Sequence, residues 1–314
     1  MAELYDNATG HGPQDIEELP PSVKVYLYKG MDDYCRVISI ERDRLYSSFR
    51  AAQNARARAT DGSCEGRQDD LTEGTQSDHI IFIIEPLTFA HDFLDSRTDP
   101  PFHDKLSFNP RTNIHILVVK MPDPVHEQAA LSFHSALILA LQPMGLHKAI
   151  SSWGSSKIIA PDGTTKEADG GWSPRRAPRG SPKRPTVVLE VASSETSAKL
   201  RRDAHYWVDP ARGQANMAIG VKIHAKNPRI TIGQWEWSSQ LSRPIQTSDL
   251  TITRYDDGIR FHTDQPTPQL VIPFHLLFRR PPVNNRERNI VFAAQELVEF
   301  ATEVWDMQFE NEQE

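Results

Sequence analysis

Glu190 stands in the middle of Pro185-Thr-Val-Val-Leu-Glu190-Val191-Ala192, an apolar run of strand character. An ionised carboxylate there is costly unless a cation or a proton donor meets it. Asp169 closes the segment Lys166-Glu-Ala-Asp169-Gly-Gly, a glycine-rich loop leading back toward a sheet. Two acids delivered from adjacent strand ends can share a hard divalent cation, Mg²⁺ or Mn²⁺, which takes a few carboxylates and keeps several waters. Such an ion polarises a phosphodiester and lowers the pKa of a bound water, and a nearby lysine can orient that water or steady the developing charge. Each acid also has a plainer reading. Glu190 can be a structural carboxylate paired with a buried Arg or Lys, and Asp169 can be a turn-former before two glycines.

The elements that must hold this pair are readable on either side of it. Ile114 to Val119 reads as a strand, and Pro122-Asp123-Pro124 as a turn. A helix follows from His126, with His126, Ala130, Phe133, Leu137 and Leu141 on one face and Gly145 placed to end it. Trp153 to Ala160 reads as a strand region, and Pro185 to Ala192 as a buried strand. Ser193-Ser194-Glu195 opens a helix through about Trp207, and Met217 to Ile223 is a second buried strand. Strand, helix and strand with near-continuous apolar strands predict a parallel pair joined by a right-handed crossover. Arg229 to Trp237, Leu250 to Arg254 and Gln269 to Pro273 read as antiparallel additions, before a closing amphipathic helix from Phe292 to Met307. Toward the N-terminus, Lys24 to Tyr28 and Arg36 to Ile40 have strand patterning. A helix is expected from Glu41 to about Arg58, a polar linker over 59–78 and a strand from His79 to Glu85. The expected division is an N-terminal appendage, partly disordered and ending in an acidic and polar linker, over 1–75, and an α/β domain over 76–314.

Taken in order, these features resemble the PD-(D/E)xK restriction-endonuclease-like superfamily, in particular a largely uncharacterised fungal branch of it. The resemblance is carried by Lys166-Glu-Ala-Asp169-Gly-Gly-Trp172-Ser-Pro174, Pro185-Thr-Val-Val-Leu-Glu190-Val191, Ser194-Glu195, and Leu200-Arg-Arg-Asp203-Ala204 with Trp207. It covers roughly residues 110 to 240, and Ala168 replaces the family's proline. It implies a restriction-endonuclease-like core, a mixed central sheet flanked by helices, with extra antiparallel strands and a C-terminal helix. It also implies a metal-dependent nuclease with Asp169 and Glu190 as metal ligands. The family's Glu-x-Lys would put lysine where this chain has Ala192. Lys222 on the next strand is the preferred replacement and Lys199 on the intervening helix the other. Glu127 would supply a helix-borne third acid.

Between the acidic motifs, Arg175, Arg176, Arg179, Lys183 and Arg184 read either as a solvated loop or as a phosphate-contacting strip. The whole chain carries a formal charge of −7, which argues against indiscriminate polyanion binding. Cys35 and Cys64 form neither a Cys-x-x-Cys pair nor a disulfide framework. The opening residues have no basic n-region or apolar h-region, and no run is long enough to span a membrane. An intracellular protein, cytoplasmic or nuclear, is expected. Walker loops, dinucleotide fingerprints, Gly-x-Ser-x-Gly elbows and His-Glu-x-x-His are absent. The sequence therefore predicts a Mg²⁺-dependent nucleic-acid phosphodiesterase, DNA being favoured over RNA. The alternative is a catalytically inactive nuclease-fold protein acting as a binding module. A homodimer is compatible with the sequence but not readable from it.

Overall fold

The chain folds as a mixed α/β protein, and this computed structural model describes residues 23–57, 77–95, 104–110, 115–154 and 156–309. The residues before 23 and positions 59–76 of the linker expected over 59–78 lie outside the described residues, while Ser77 and Asp78 at its end are buried. A six-stranded sheet runs in the order β1 (Lys24–Leu27), β2 (His79–Ile83), β4 (Ile116–Lys120), β3 (Lys105–Asn109), β7 (Thr165–Lys166) and β6 (Ile158–Ile159). β1 and β2 pair in parallel and the other neighbours antiparallel, so residues on both sides of position 75 share this sheet.

Helix α1 (Met31–Ala57) covers one face of that sheet, burying Tyr34, Val37, Ile38 and Leu45 against Ile80, Phe82, Leu117 and Val119. The strand expected at Arg36 to Ile40 is therefore helical. Its short apolar cluster suits either structure, and the helical spacing emerges only when Tyr34 and Leu45 are counted with it. Strand side chains alternate, so Leu117 and Val119 face α1 while Val118 and Lys120 face away. The ladder sets His79 and Lys105 beside Lys120, and Lys166 beside Ser107. The sheet's second face is thus its cationic face.

A seven-stranded sheet lies against it, in the order β13 (Gly258–Thr263), β12 (Arg243–Tyr255), β11 (Arg229–Ser238), β10 (Met217–Ile223), β9 (Val187–Ala192), β8 (Gly170–Pro174) and β5 (Ile150–Ser152). β9 and β10 are parallel, as the strand-helix-strand pattern predicts. After the short α2 (Pro86–Phe89) come α3 (Pro124–Leu141), α4 (Ser197–Val208), α5 (Phe274–Phe278) and α6 (Ala294–Phe309). Val187, Leu189 and Val191 pack under α3 and α6, whereas Val188 meets Ala204 and Trp207 of α4 on the other face. There Gly220 and Gly233 pair across β10 and β11 and seat the indole of Trp235; a Cβ on Gly233 would lie 2.3 Å from that ring.

Local chemistry sets the element ends. α3 starts at Pro124, two residues before His126, because Asp123 caps it by accepting the His126 N–H at 2.7 Å. Gly145, at φ 71°, ends the turn that follows. Of the strand region expected from Trp153 to Ala160 only Ile158–Ile159 (β6) is strand among the described residues, and β5 ends before it at Ser152. α4 does not open at Ser193; Thr196 caps it through the Lys199 N–H at 3.1 Å, which leaves Glu195 outside the helix. Gln269–Ile272 (β14) pairs with Ile290–Ala293 (β15) in a two-stranded sheet, so Phe292 is strand and α6 begins after it. Among the described residues no helix is long and apolar enough to cross a membrane.

Candidate active site

Asp169 immediately precedes β8, whose antiparallel ladder pairs Gly170 with Leu189 and so brings Asp169 opposite Glu190. Asp169 Oδ2 accepts from the Lys120 ammonium at 2.9 Å and from the Val191 N–H at 2.7 Å. His126 Nε2 lies 3.0 Å from the same oxygen, an ion-pair contact off the hydrogen-bond direction. Lys120 also reaches Glu195 Oε1 at 2.8 Å and donates to the Val191 carbonyl at 2.6 Å. Glu190 Oε1 accepts from the Trp207 indole N–H, with the Lys166 ammonium 3.8 Å away. Lys166 pairs with Asp203 at 2.5 Å, and Asp203 also holds Lys199. These acids and lysines line one narrow cleft of about 30 Å³, room for one or two waters. The cationic face of one sheet meets acids carried by the other sheet and by α4.

The charges set each other's protonation. Burial alone would raise Asp169, but His126 and Lys120 hold its carboxyl far below the usual carboxylate range. Burial lowers an ammonium, yet Asp169 and Glu195 keep Lys120 well above its ordinary value. Glu190 is pushed up to about 7, first by burial and then by Asp169 and Asp203, against the pull of Lys166. The pair therefore splits into a firmly ionised Asp169 and a Glu190 poised near neutrality.

His79 stands between two carboxylates, Nδ1 at 2.6 Å from Asp78 and Nε2 at 3.2 Å from Glu195. The three side chains offer ligand atoms within 4.8 Å of one another and so could hold a metal ion. A metal on Nε2 would lie on the Glu195 side of the ring, leaving Asp78 to orient the imidazole from the opposite nitrogen. In the present arrangement the ring acts as a buried cation. Burial pushes it down, but Asp78 and Glu195 outweigh that and raise it to about 9. A histidine held up in this way stabilises the fold fully below its unfolded value near 6.5, and the contribution fades as pH rises through about 9. Thermal melts between pH 7 and 9.5 should therefore show a falling midpoint that is flatter in a His79→Gln variant. Parallel slopes in the two proteins would refute this.

The expected site residues fall into three groups. Asp169, Glu190 and Lys199 meet in the cleft. Lys222 lies beside Ala192 in the ladder, as its strand position requires, but its amine is taken by the carbonyls of Ser193 at 3.1 Å and Glu195 at 2.5 Å. It ties down the loop before α4 and pairs with neither Asp169 nor Glu190. Glu127 is half exposed and faces His126 Nδ1 at 3.6 Å, outside the cleft lining, so it reaches Asp169 only through that histidine. Arg175, Arg176, Arg179, Lys183 and Arg184 belong to the loop at the far end of the β8–β9 hairpin, about 20 Å along the strand from Asp169. Arg184 is spent on the carbonyls of Ile159 and Arg212.

Lys120, Lys166, Glu195, Asp203 and His79 are the site residues that sequence reasoning missed. Lys166, Glu195 and Asp203 stand inside the very motifs that carry the resemblance, and Lys120 ends an otherwise apolar strand. Those were the available signals. For a divalent ion the donor set fits in kind, since Asp169 and Glu190 are hard oxygen ligands. The contacts described above fall on Asp169 Oδ2 and Glu190 Oε1, leaving Oδ1 and Oε2 without a hydrogen bond among the described residues. The sequence matches no family model and no curated protein.

Proposed function

We propose that this chain carries a divalent-cation-dependent phosphodiesterase site for nucleic acid, on a scaffold of the restriction-endonuclease-like kind. Asp169 and Glu190 would hold Mg²⁺ or Mn²⁺. The observation behind this reading is convergence: Lys166, Asp169, Glu190, Glu195 and Asp203, separate along the chain, line one cleft. A bound ion would polarise the phosphodiester and activate a water for attack. The chain's own part is positioning. The Val191 N–H and His126 fix the Asp169 carboxylate, Trp207 fixes Glu190, and Lys166 supplies positive charge beside Glu190. Lys166 takes the place that Lys222 held in the sequence-based expectation.

A specific observation favours the second reading, a binding module without turnover. Asp169, Glu190, Glu195 and Asp203 already meet a lysine, histidine or tryptophan of this chain, so most of the cleft's acids are satisfied internally. One experiment separates the two. The purified chain is incubated with plasmid, single-stranded DNA and RNA in Mg²⁺, Mn²⁺ or EDTA, beside an Asp169→Asn/Glu190→Gln double variant. Cation-dependent cleavage lost in the variant supports the enzyme, with DNA cut in preference to RNA. Cleavage surviving in the variant points to a contaminant. Retention of nucleic acid without cleavage under any condition supports the binding module.

A further inference from the structure

Helices α3 and α6 leave a groove of about 430 Å³ between them, and it shares no lining residue with the acidic cleft. Ala136 and Ala140 sit one turn apart on α3 and fill little space, so a trough remains beside Phe300 of α6. Two large apolar side chains line it while facing water. Leu139 is 64% exposed, and Val291 is 40% exposed because β15 alternates and sends Ile290 and Phe292 to the core. The charge along this groove is one-sided. Glu296, Glu299 and Glu303 line it at spacings of three and four, on one face of α6. Glu303 accepts from the Ser132 hydroxyl and Glu299 from the Gln295 amide, and among the described residues none of the three acids pairs with a cation. Arg288 is the single cation in the lining, and residues 291–314 contain no Lys, Arg or His.

We infer that the α3–α6 groove is a docking site for a basic amphipathic helix of a partner protein. The partner's apolar stripe lies in the trough against Leu139, Val291 and Phe300, and its Lys or Arg side chains meet Glu296, Glu299 and Glu303. Those acids span about 10 Å along α6, which matches two turns of a bound helix. Charge excludes the nearer candidates. Residues 1–22 hold acids but no Lys or Arg, and residues 59–76 hold Arg67 among Asp61, Glu65, Asp69, Asp70 and Glu73. A second copy meeting this face with its own would set like charges together. The inference goes beyond the proposed function and holds whether or not the cleft cleaves.

Fluorescence anisotropy with the full chain tests it. The probe is a labelled synthetic helix with Leu at i, i+3 and i+4 spacing and Lys on its other face. Two control helices each keep half of that chemistry, one with Glu for every Lys and one with Ser for every Leu. The Leu/Lys helix should bind at about 10 µM or tighter, and each control at least about tenfold more weakly. Leu139→Ser and Glu296→Lys/Glu299→Lys should each weaken binding about tenfold or more. All three positions are exposed, so both variants should fold as the parent does. Asp256→Lys/Asp257→Lys changes the net charge equally at the β12–β13 turn and should leave the affinity unchanged. Absence of binding overturns the site. So does equal binding of either control helix, which would reduce the effect to charge or to apolar contact alone. An affinity that Leu139→Ser leaves intact, or that Asp256→Lys/Asp257→Lys weakens as much as Glu296→Lys/Glu299→Lys, overturns it too. Self-association of the parent in sedimentation velocity that Leu139→Ser abolishes would make the groove a contact between copies and defeat the partner helix.

Discussion

Glu190→Gln is expected to lower cation-dependent cleavage by about 10²–10³-fold while leaving the fold at least as stable as the parent. The carboxylate is buried on an apolar strand, and Asp169 and Asp203 disfavour its charge, with Lys166 3.8 Å away as partial compensation. An amide keeps an oxygen for the Trp207 indole and removes a charge that is expensive to bury. It offers a metal ion only a neutral, weaker ligand. Stability and activity should therefore move independently: an unfolding free energy within about 1 kcal/mol of the parent or higher, and turnover largely gone. A variant that unfolds readily but cleaves normally would make Glu190 a structural carboxylate and defeat the site.

Lys120→Met should cost about 3–5 kcal/mol in a cation-free buffer, the range expected when one partner of a buried ion pair is removed. Its ammonium is the shared counter-charge of Asp169 and Glu195, both inside the protein, and methionine keeps the volume but not the charge. Lys222→Met is the matched control, since among the described residues that amine bonds to the carbonyls of Ser193 and Glu195 and to no carboxylate. Carbonyls left without a donor cost less than stranded carboxylates, so the control should lose about 1–3 kcal/mol. Urea unfolding of the three proteins measures the difference. If Lys222→Met proved the more damaging, the assignment of Lys120 as the central cation would be wrong.

Much of the scaffold could be read from local pattern. The apolar runs over 187–192 and 217–223 are strands, and their pairing is parallel, as the helix between them requires. The helix after Pro122 and the placement of Asp169 and Glu190 in one cleft also follow from the chain itself. Where reading went astray, the signal was ambiguous over a short span. Arg36 to Ile40 is part of α1, and Ser194-Glu195, which has the composition of a cap, immediately precedes the true cap at Thr196.

The sequence by itself determined that Glu190 would be awkward to bury and would need a cation or proton donor, because its burial follows from the apolar run around it. Only the tertiary structure decided which groups those are. Lys120 reaches Asp169 across 49 positions because the polar face of one sheet meets acids carried by β9 and the loop before β8 of another. The pattern showed that Lys222 interrupts an apolar strand, but neither what stands opposite it nor that Lys120, at the end of another strand, would matter. Lys222 faces backbone carbonyls and Lys120 faces carboxylates. That difference comes from the packing of two sheets, and a one-dimensional pattern holds no record of it.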